Sequence, residues 1–282
     1  TSRKLGYVFA LHDQYRDYYY SSPVFDESKA VTQIDGSHPY CSIWDGGEHT
    51  YLCSSFAIDY VKKTYDELEK HNIDVQGAYL DVFSIMQGDE CFNENHKITR
   101  EESIEARAKC FDYLNEKGFV MSSEEPGFAL TNNIALVHHG PFHARPLENG
   151  EPVGIPVPLQ NLVFHDCLIV PWNWFNNWGI PKGVNGDVYC ALCAGMPYLH
   201  PFGTGVSKIG TDNRTTDTEL LDDAKLAEEF ERVKPLCTLQ SKLYDKEMVR
   251  HEFIGSYKVQ RAIYSDGTTV TVDLDKNTYK VN

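Results

Sequence analysis

The chain has 282 residues, with 41 acidic side chains against 26 basic ones and a formal charge of −15 at pH 7. That average field repels a nucleic-acid backbone, and no Lys/Arg-rich block or aromatic-basic stripe offsets it, so no nucleic-acid partner is expected. No apolar run approaches the roughly 18 residues of a membrane-spanning helix, and Thr1-Ser2-Arg3-Lys4 is followed by no secretory leader. The expectation is a soluble protein, cytoplasmic or secreted, whose targeting segment is absent from this chain.

Leu5-Gly6-Tyr7-Val8-Phe9-Ala10-Leu11 is a compact apolar run, read as a buried strand that terminates in His12-Asp13-Gln14-Tyr15-Arg16-Asp17. Polar and aromatic residues continue to about Cys41, with turns at Ser21-Ser22-Pro23 and Asp35-Gly36-Ser37, a long loop of the kind that lines a functional face. From Cys53 to Lys70 the apolar positions Phe56, Ala57, Tyr60, Val61, Tyr65 and Leu68 predict a helix. A second strand spans about Val75 to Val82. Thr99 and Glu102 are spaced as a capping box, so a helix starts there, and it ends at Lys117-Gly118, where glycine permits the exit conformation. A third strand begins at once with Phe119. Strand, helix and strand joined in this way predict parallel pairing with a right-handed crossover.

Beyond Pro126-Gly127 lies an irregular region containing His138-His139 and His143, then a proline-rich stretch from Pro146 to Pro158. Leu162-Val163-Phe164 reads as a short strand reaching His165-Asp166, and Cys167 to Trp172 as another that enters a segment with Trp172, Trp174 and Trp178. Gly186 to Pro197 is apolar without a period that separates strand from helix. Leu221 to Leu243 reads as a helix that Pro235 kinks or divides. Alternation on both sides of Ser265-Asp266-Gly267-Thr268 predicts a hairpin, and a boundary is expected near Phe253 to Tyr257, where βα units give way to an antiparallel element.

The chemistry is concentrated where two apolar strands end in acids, at Asp81 and at Glu124-Glu125. Two carboxyl groups at the same end of neighbouring parallel strands can cleave a glycosidic bond, one attacking the anomeric carbon and the other protonating the leaving oxygen. Glu124 and Glu125 point to opposite sides of an extended strand, so only one can face Asp81. The plainer alternative is that these acids cap loops or pair with a nearby Arg or Lys. His12-Asp13 and His165-Asp166 follow apolar runs and can bind sugar hydroxyls, or simply satisfy loop carbonyls. Arg16 and Asp17 could belong to the same rim, although periodicity does not identify them as ligands. Tyr15 and Trp44 give one aromatic wall, Trp172 and Trp174 a second platform or core wedges, and Tyr79 lies two residues before Asp81.

No phosphate loop, dinucleotide fingerprint or serine elbow is present, and no His-Glu-x-x-His accompanies the clustered histidines, so no cofactor and no catalytic metal are expected. Asp13, Asp89 and Glu90 could together hold a structural calcium if their loops converge. The eight cysteines, among them a lone Cys190-Ala191-Leu192-Cys193, read as reduced and largely buried thiols, and Asn213-Arg214-Thr215 matches a glycosylation acceptor.

At Tyr79-Leu80-Asp81-Val82-Phe83 and Gly118-Phe119-Val120-Met121-Ser122-Ser123-Glu124-Glu125 the chain resembles the catalytic barrel of retaining α-N-acetylgalactosaminidases, particularly the exo-acting group related to the larger endo-α-N-acetylgalactosaminidases. Leu11-His12-Asp13-Gln14-Tyr15-Arg16-Asp17-Tyr18-Tyr19 resembles the loop after an earlier barrel strand of that group. The resemblance covers roughly residues 5 to 270, although only these patches are distinctive and such enzymes are much longer. It implies an α/β fold in which residues 1–254 form part of a (β/α)8-type barrel and 255–282 begin a β domain. It also implies Asp81 as nucleophile, Glu124 as acid/base with Glu125 as the alternate, and release of α-linked N-acetylgalactosamine from glycans or glycopeptides by double displacement. Two other classes remain open: a noncatalytic carbohydrate-binding or scaffold protein, and a metallohydrolase built on the clustered histidines.

Overall fold

The computed structural model describes residues 3–44, 46–125, 127–137, 157–172, 186–197 and 222–282. The chain divides into two compact units, Thr1–His138 and His139–Asn282. The architecture is mixed α/β, with a parallel sheet in the first unit and an antiparallel sheet at the C-terminal end of the second.

In the first unit, β1 (Ala10–Asp13) is followed by a small antiparallel sheet of β2 (Asp17–Tyr19), β3 (Ile43–Trp44) and β4 (Gly47–Tyr51), ordered β2-β4-β3. The chain continues through helix α1 (Ala57–Lys70), strand β5 (Gly77–Leu80), helix α2 (Arg100–Glu116), strand β6 (Val120–Ser123) and strand β7 (Leu136–Val137). The parallel sheet runs β1-β5-β6-β7, each strand beside its predecessor with no reversal of order. Helices of this unit turn their apolar stripes inward: Ala57, Val61 and Tyr65 of α1 and Cys110, Phe111 and Leu114 of α2 are buried together with Ala78, Leu80 and Met121 of the sheet. The capping box at α2 is complete, Thr99 Oγ1 accepting from Glu102 N at 3.2 Å while Glu102 Oε2 accepts from Thr99 N at 2.7 Å. Gly118 leaves the helix at φ 80°, a conformation that a Cβ would penalise.

The structure alters the reading of the first apolar run. Its strand lies later, at Ala10–Asp13, and Leu5 is 70% exposed, with Tyr7 and Val8 also exposed. β1 is the edge strand of the parallel sheet, so one face of its ladder is free of strand partners among the described residues. The long polar segment after β1 is also less irregular than its composition implies: strands of two to five residues there are too short to leave a period in the sequence.

The second unit holds α3 (Leu159–Phe164), the parallel pair β8 (Pro171–Trp172) and β9 (Met196–Pro197), α4 (Gly186–Leu192) and α5 (Asp223–Leu243). It closes with the antiparallel sheet β10 (Met248–Ile254), β11 (Ser256–Tyr264), β12 (Thr269–Asp273) and β13 (Thr278–Val281). Its core joins Val188 to Ala194, Leu236, Leu239 and Leu243 with Ala262, Tyr264, Val270 and Val272 of the sheet. Leu162-Val163-Phe164, expected as a strand, is helical, because a three-residue apolar run carries no period and Pro158 pre-sets a turn before it. The ambiguous run after Gly186 resolves as a buried helix followed by a short strand. α5 passes through Pro235 undivided: the missing amide costs one ladder bond, and Val233, Leu236, Leu239 and Leu243 are buried around it. The hairpin at 265–268 forms as expected, and its sheet begins at Met248. Among the described residues no helix is long and apolar enough to cross a membrane.

Candidate active site

β1, β5 and β6 set the site by register. His12 pairs with Tyr79, and Tyr79 with Ser122. Asp81 lies two residues after Tyr79 and Glu124 two after Ser122, so both acids continue the same side of neighbouring parallel strands just beyond the ladder. Glu125 has the opposite parity. The pairing that distinguishes the two glutamates is a tertiary fact, which sequence periodicity alone does not contain.

Asp81 is held by short-range contacts. Its amide donates to the Asp13 carbonyl at 2.8 Å, and its Oδ1 accepts from the Tyr79 hydroxyl at 2.9 Å. The His12 ring stacks on Tyr79 with centroids 4.6 Å apart and brings its Nε2 to 3.8 Å from Asp81 Oδ1. His12 is nonetheless 65% exposed in its side chain, the disposition of a group that faces incoming solute. Val82, directly after Asp81, sits at φ 55°, a strained setting for a β-branched residue that surrounding structure must enforce.

Glu124 is half-buried, and its carboxyl is pushed up to about 7, first by burial and then by the negative charge of Asp81, with Glu125 and Asp17 adding to it. At neutral pH such a group carries a proton for a large part of the time. A carboxyl that can donate a proton beside a carboxylate on the next strand is the electrostatic pattern that separates an acid from a nucleophile.

The loops bearing the two acids are joined by hydroxyl bridges. Ser123 Oγ donates to the Leu80 carbonyl at 2.5 Å and accepts from the Ser84 amide at 3.2 Å, and Ser84 Oγ in turn donates to the Glu125 carbonyl. A Cβ on Gly127 would lie 1.7 Å from the Ser84 carbonyl oxygen, so this approach of the two loops requires glycine. Gly127→Ala is expected to lower stability by about 1–3 kcal/mol through backbone displacement and to reduce turnover by moving Glu124. A thermal melt within a degree of wild type would contradict the packing described.

Beneath the loop after Asp81 lies an ionic cluster. Asp89 accepts from Arg16 Nε at 2.7 Å and Nη2 at 2.8 Å, and from Arg107 Nη2 at 2.7 Å. Arg107, fully buried, also donates to the carbonyls of Met86 at 2.7 Å and Gln87 at 3.1 Å. Arg16 stacks over Tyr51, 3.6 Å from the ring centroid. Arg16 is thus enclosed beneath the loop, in contrast to the rim position expected for it. Tyr15 is buried as well, its hydroxyl 3.1 Å from Asp13 Oδ2. Both oxygens of Asp89 are occupied by guanidinium groups, which a calcium ion would have to displace.

Sequence reasoning missed His49, and it placed Asp17 only as a possible rim residue beside Arg16. His49 is fully buried, with Nε2 3.4 Å from Asp17 Oδ2, and burial pushes the Asp17 carboxyl up against the opposing pull of His49 and Arg16. They lie two register positions apart on the neighbouring strands β2 and β4, where Asp17 pairs with Tyr51 and Tyr19 with His49, strands too short to be legible in the sequence. Asp17, His49 and Cys41 offer ligand atoms within 4.8 Å of one another, one of two such groups among the described residues.

The remaining expected residues are distributed otherwise. Trp44 is 60% exposed on β3. His165 and Asp166 belong to the second unit and follow a helix. Asp166 is exposed, whereas His165 is buried, with Nδ1 2.7 Å from the Lys246 carbonyl and its ring edge-on to Tyr264. Burial pushes the His165 imidazole below its ordinary value. Trp172 ends β8, while Trp174, Trp178, His138, His139, His143 and the Asn213 acceptor lie outside the described residues. All eight cysteines are free thiols, and five of them are buried, Cys190 and Cys193 included.

Comparison with solved structures shows whole-chain similarity. Over 99% of its length the chain matches the α-N-acetylgalactosaminidase NagBb from Bifidobacterium bifidum in complex with GalNAc, with a TM-score of 0.84 and 36% identity. The same enzyme in complex with Gal-NHAc-DNJ matches over 100% of the chain with a TM-score of 0.82 and 35% identity. In both cases the chain spans 43% of the neighbour's own length. The GH36 α-galactosidase AgaA from Geobacillus stearothermophilus shares the fold over 95% of this chain and 36% of its own, with a TM-score of 0.55 at 8% identity. No protein-family model and no curated protein matches.

Proposed function

We propose, for a chain that belongs to the α-N-acetylgalactosaminidase family of glycoside hydrolases, that it removes α-linked N-acetylgalactosamine from glycans or glycopeptides by a retaining double displacement. On this reading the chain up to about Glu247 contributes to a (β/α)8 barrel and the antiparallel sheet begins a β domain at Met248, ahead of the expected boundary at 254/255. The sequential order of the parallel sheet supports the barrel, since barrel strands follow one another without reversal.

The reading rests on one observation: Asp81 and Glu124 stand in step at the ends of adjacent parallel strands, with the Glu124 carboxyl raised to about 7 beside Asp81. Asp81 attacks the anomeric carbon as Glu124 gives its proton to the departing glycosidic oxygen. Glu124, now ionised, takes a proton from water, and the hydroxide oxygen displaces Asp81 to release the sugar with its configuration retained. Tyr79 and His12 flank Asp81 and orient it toward the sugar.

Leaving-group dependence provides the test. Glu124→Gln should lower kcat/KM by about 100-fold or more on a poor leaving group and much less on an aryl glycoside that departs without a proton. Glu125→Gln should leave both within a few-fold of wild type. Because the acid must be protonated, kcat/KM of the wild type should fall as pH rises through about 7, and that limb should be absent from Glu124→Gln. A basic limb that persists in the variant, or an inverted first product by NMR, would refute the assignment.

A further inference from the structure

A second chemical site lies away from the carboxylates. The ligand atoms of Cys53, Cys91 and His96 all fall within 4.8 Å of one another. Both cysteines are fully buried, in a small core cluster with Val31 against which Tyr51, Phe56 and Ile98 pack. His96 Nδ1 is 3.4 Å from Cys91 Sγ, and Cys53 Sγ is 3.2 Å from the Ser55 hydroxyl. Two thiols and an imidazole that converge in an apolar shell form the donor set that prefers thiophilic ions such as Zn2+ over Ca2+ or Mg2+.

The backbone holds this set in place. Cys91 and Ile98 form an antiparallel bridge that closes the loop carrying His96, with Cys91 N to Ile98 O at 2.9 Å and Ile98 N to Cys91 O at 3.1 Å. Cys53 is fixed by its amide, which donates to the Lys29 carbonyl at 2.9 Å. The Thr32 amide donates to Cys91 Sγ at 3.4 Å, which fixes the position of that sulfur. The His96 ring packs edge-on to Phe56 with Nδ1 facing Cys91 Sγ, and its Nε2 is buried with no hydrogen-bond partner. With bonds of about 2.3 Å to sulfur and about 2.0 Å to nitrogen, tetrahedral ligation asks for donor separations of about 3.4 to 3.8 Å. The His96–Cys91 pair already meets that, and the rest of the set closes by no more than about an ångström.

We propose that Cys53, Cys91 and His96 bind one Zn2+ as a structural site, with the fourth position taken by the Ser55 hydroxyl or water. The ion would tie the segment after β4 to the loop before α2, cross-linking the small antiparallel sheet to the connection that carries Asp89. Both sulfurs bind as thiolates, so uptake of one ion releases two protons to the buffer when the thiols start protonated.

The test uses the whole chain, purified under reducing conditions without chelator, and Zn2+ alone as probe. Elemental analysis should find about one zinc per chain, and chelator treatment should lower Tm by several degrees, restored by stoichiometric Zn2+ but not by Ca2+. Replacement with Co2+ should give a thiolate-to-cobalt absorption band in the near ultraviolet. Cys53→Ser/Cys91→Ser should lose both the ion and the band. Less than a tenth of an equivalent of zinc with a Tm indifferent to chelator would overturn the proposal without any variant, as would a Cys53–Cys91 disulfide found by mass spectrometry of the untreated protein. Retention of one zinc by the double variant would equally overturn it.

Discussion

Asp81→Ala should abolish turnover, lowering kcat by about 10⁴-fold or more, while leaving the melting temperature near that of wild type. The expected loss is large because on the proposed reading Asp81 forms the covalent intermediate and no neighbour replaces it: Asp13 is bonded to Tyr15, and the raised Glu124 carboxyl is assigned as the acid. The stability expectation has a separate origin. Asp81 Oδ1 accepts from Tyr79 and lies near an exposed His12, so removing it strands no deeply buried charge. Azide supplied to the alanine variant with an activated substrate should enter the vacated space and give the β-glycosyl azide, because it attacks from the face the carboxylate used. Turnover within tenfold of wild type, or an α-azide, would remove Asp81 from the role. Removal of its carboxylate should also ease protonated-state bias at Glu124, moving any residual pH dependence lower.

The largest structural effect is expected at Asp89. Asp89→Ala leaves the fully buried Arg107 without its counter-charge and Arg16 with only Asp17, 3.7 Å from its Nη1, and removing one partner of such a cluster typically costs about 3–5 kcal/mol. Arg107 would keep its bonds to the Met86 and Gln87 carbonyls, so the loop is weakened at its base before it is released. Asp89→Asn keeps shape and one acceptor oxygen and should lie between wild type and alanine. Urea denaturation measures this directly, and a loss below about 1 kcal/mol in the alanine variant would show that the charges find solvent or another partner. Activity should fall in step with the folded fraction, since Asp89 touches neither acid.

The parts of this molecule that sequence makes legible are those with local grammar. The capping box at Thr99, the glycine exit at Gly118 and the apolar runs around Leu80 and Met121 each declare themselves within a few residues, and together they place Asp81 and Glu124 at strand ends. What stays hidden depends on partners far apart in the chain. Arg107 reads as an ordinary polar helix position until Asp89 and the carbonyls of the preceding loop enclose it. His49 and Asp17 meet only through a sheet whose strands are too short to show alternation. The distinction between Glu124 and Glu125 likewise appears only with the β5–β6 register. His165 illustrates the opposite case: its position after an apolar run left open a sugar ligand or a partner for a loop carbonyl, and the side chain takes the second role within its own unit.

The serine seam between the two acid-bearing loops has a consequence for how specificity can change. Ser123 and Ser84 hold the two acid-bearing loops together through struts one hydroxyl long, so on the proposed reading Asp81 and Glu124 are positioned before any sugar arrives. Exposed residues such as His12 and Trp44 are under no such constraint. On the same reading, substitutions there retune which glycan is admitted while the chemistry is kept, whereas a change at either serine alters every substrate alike.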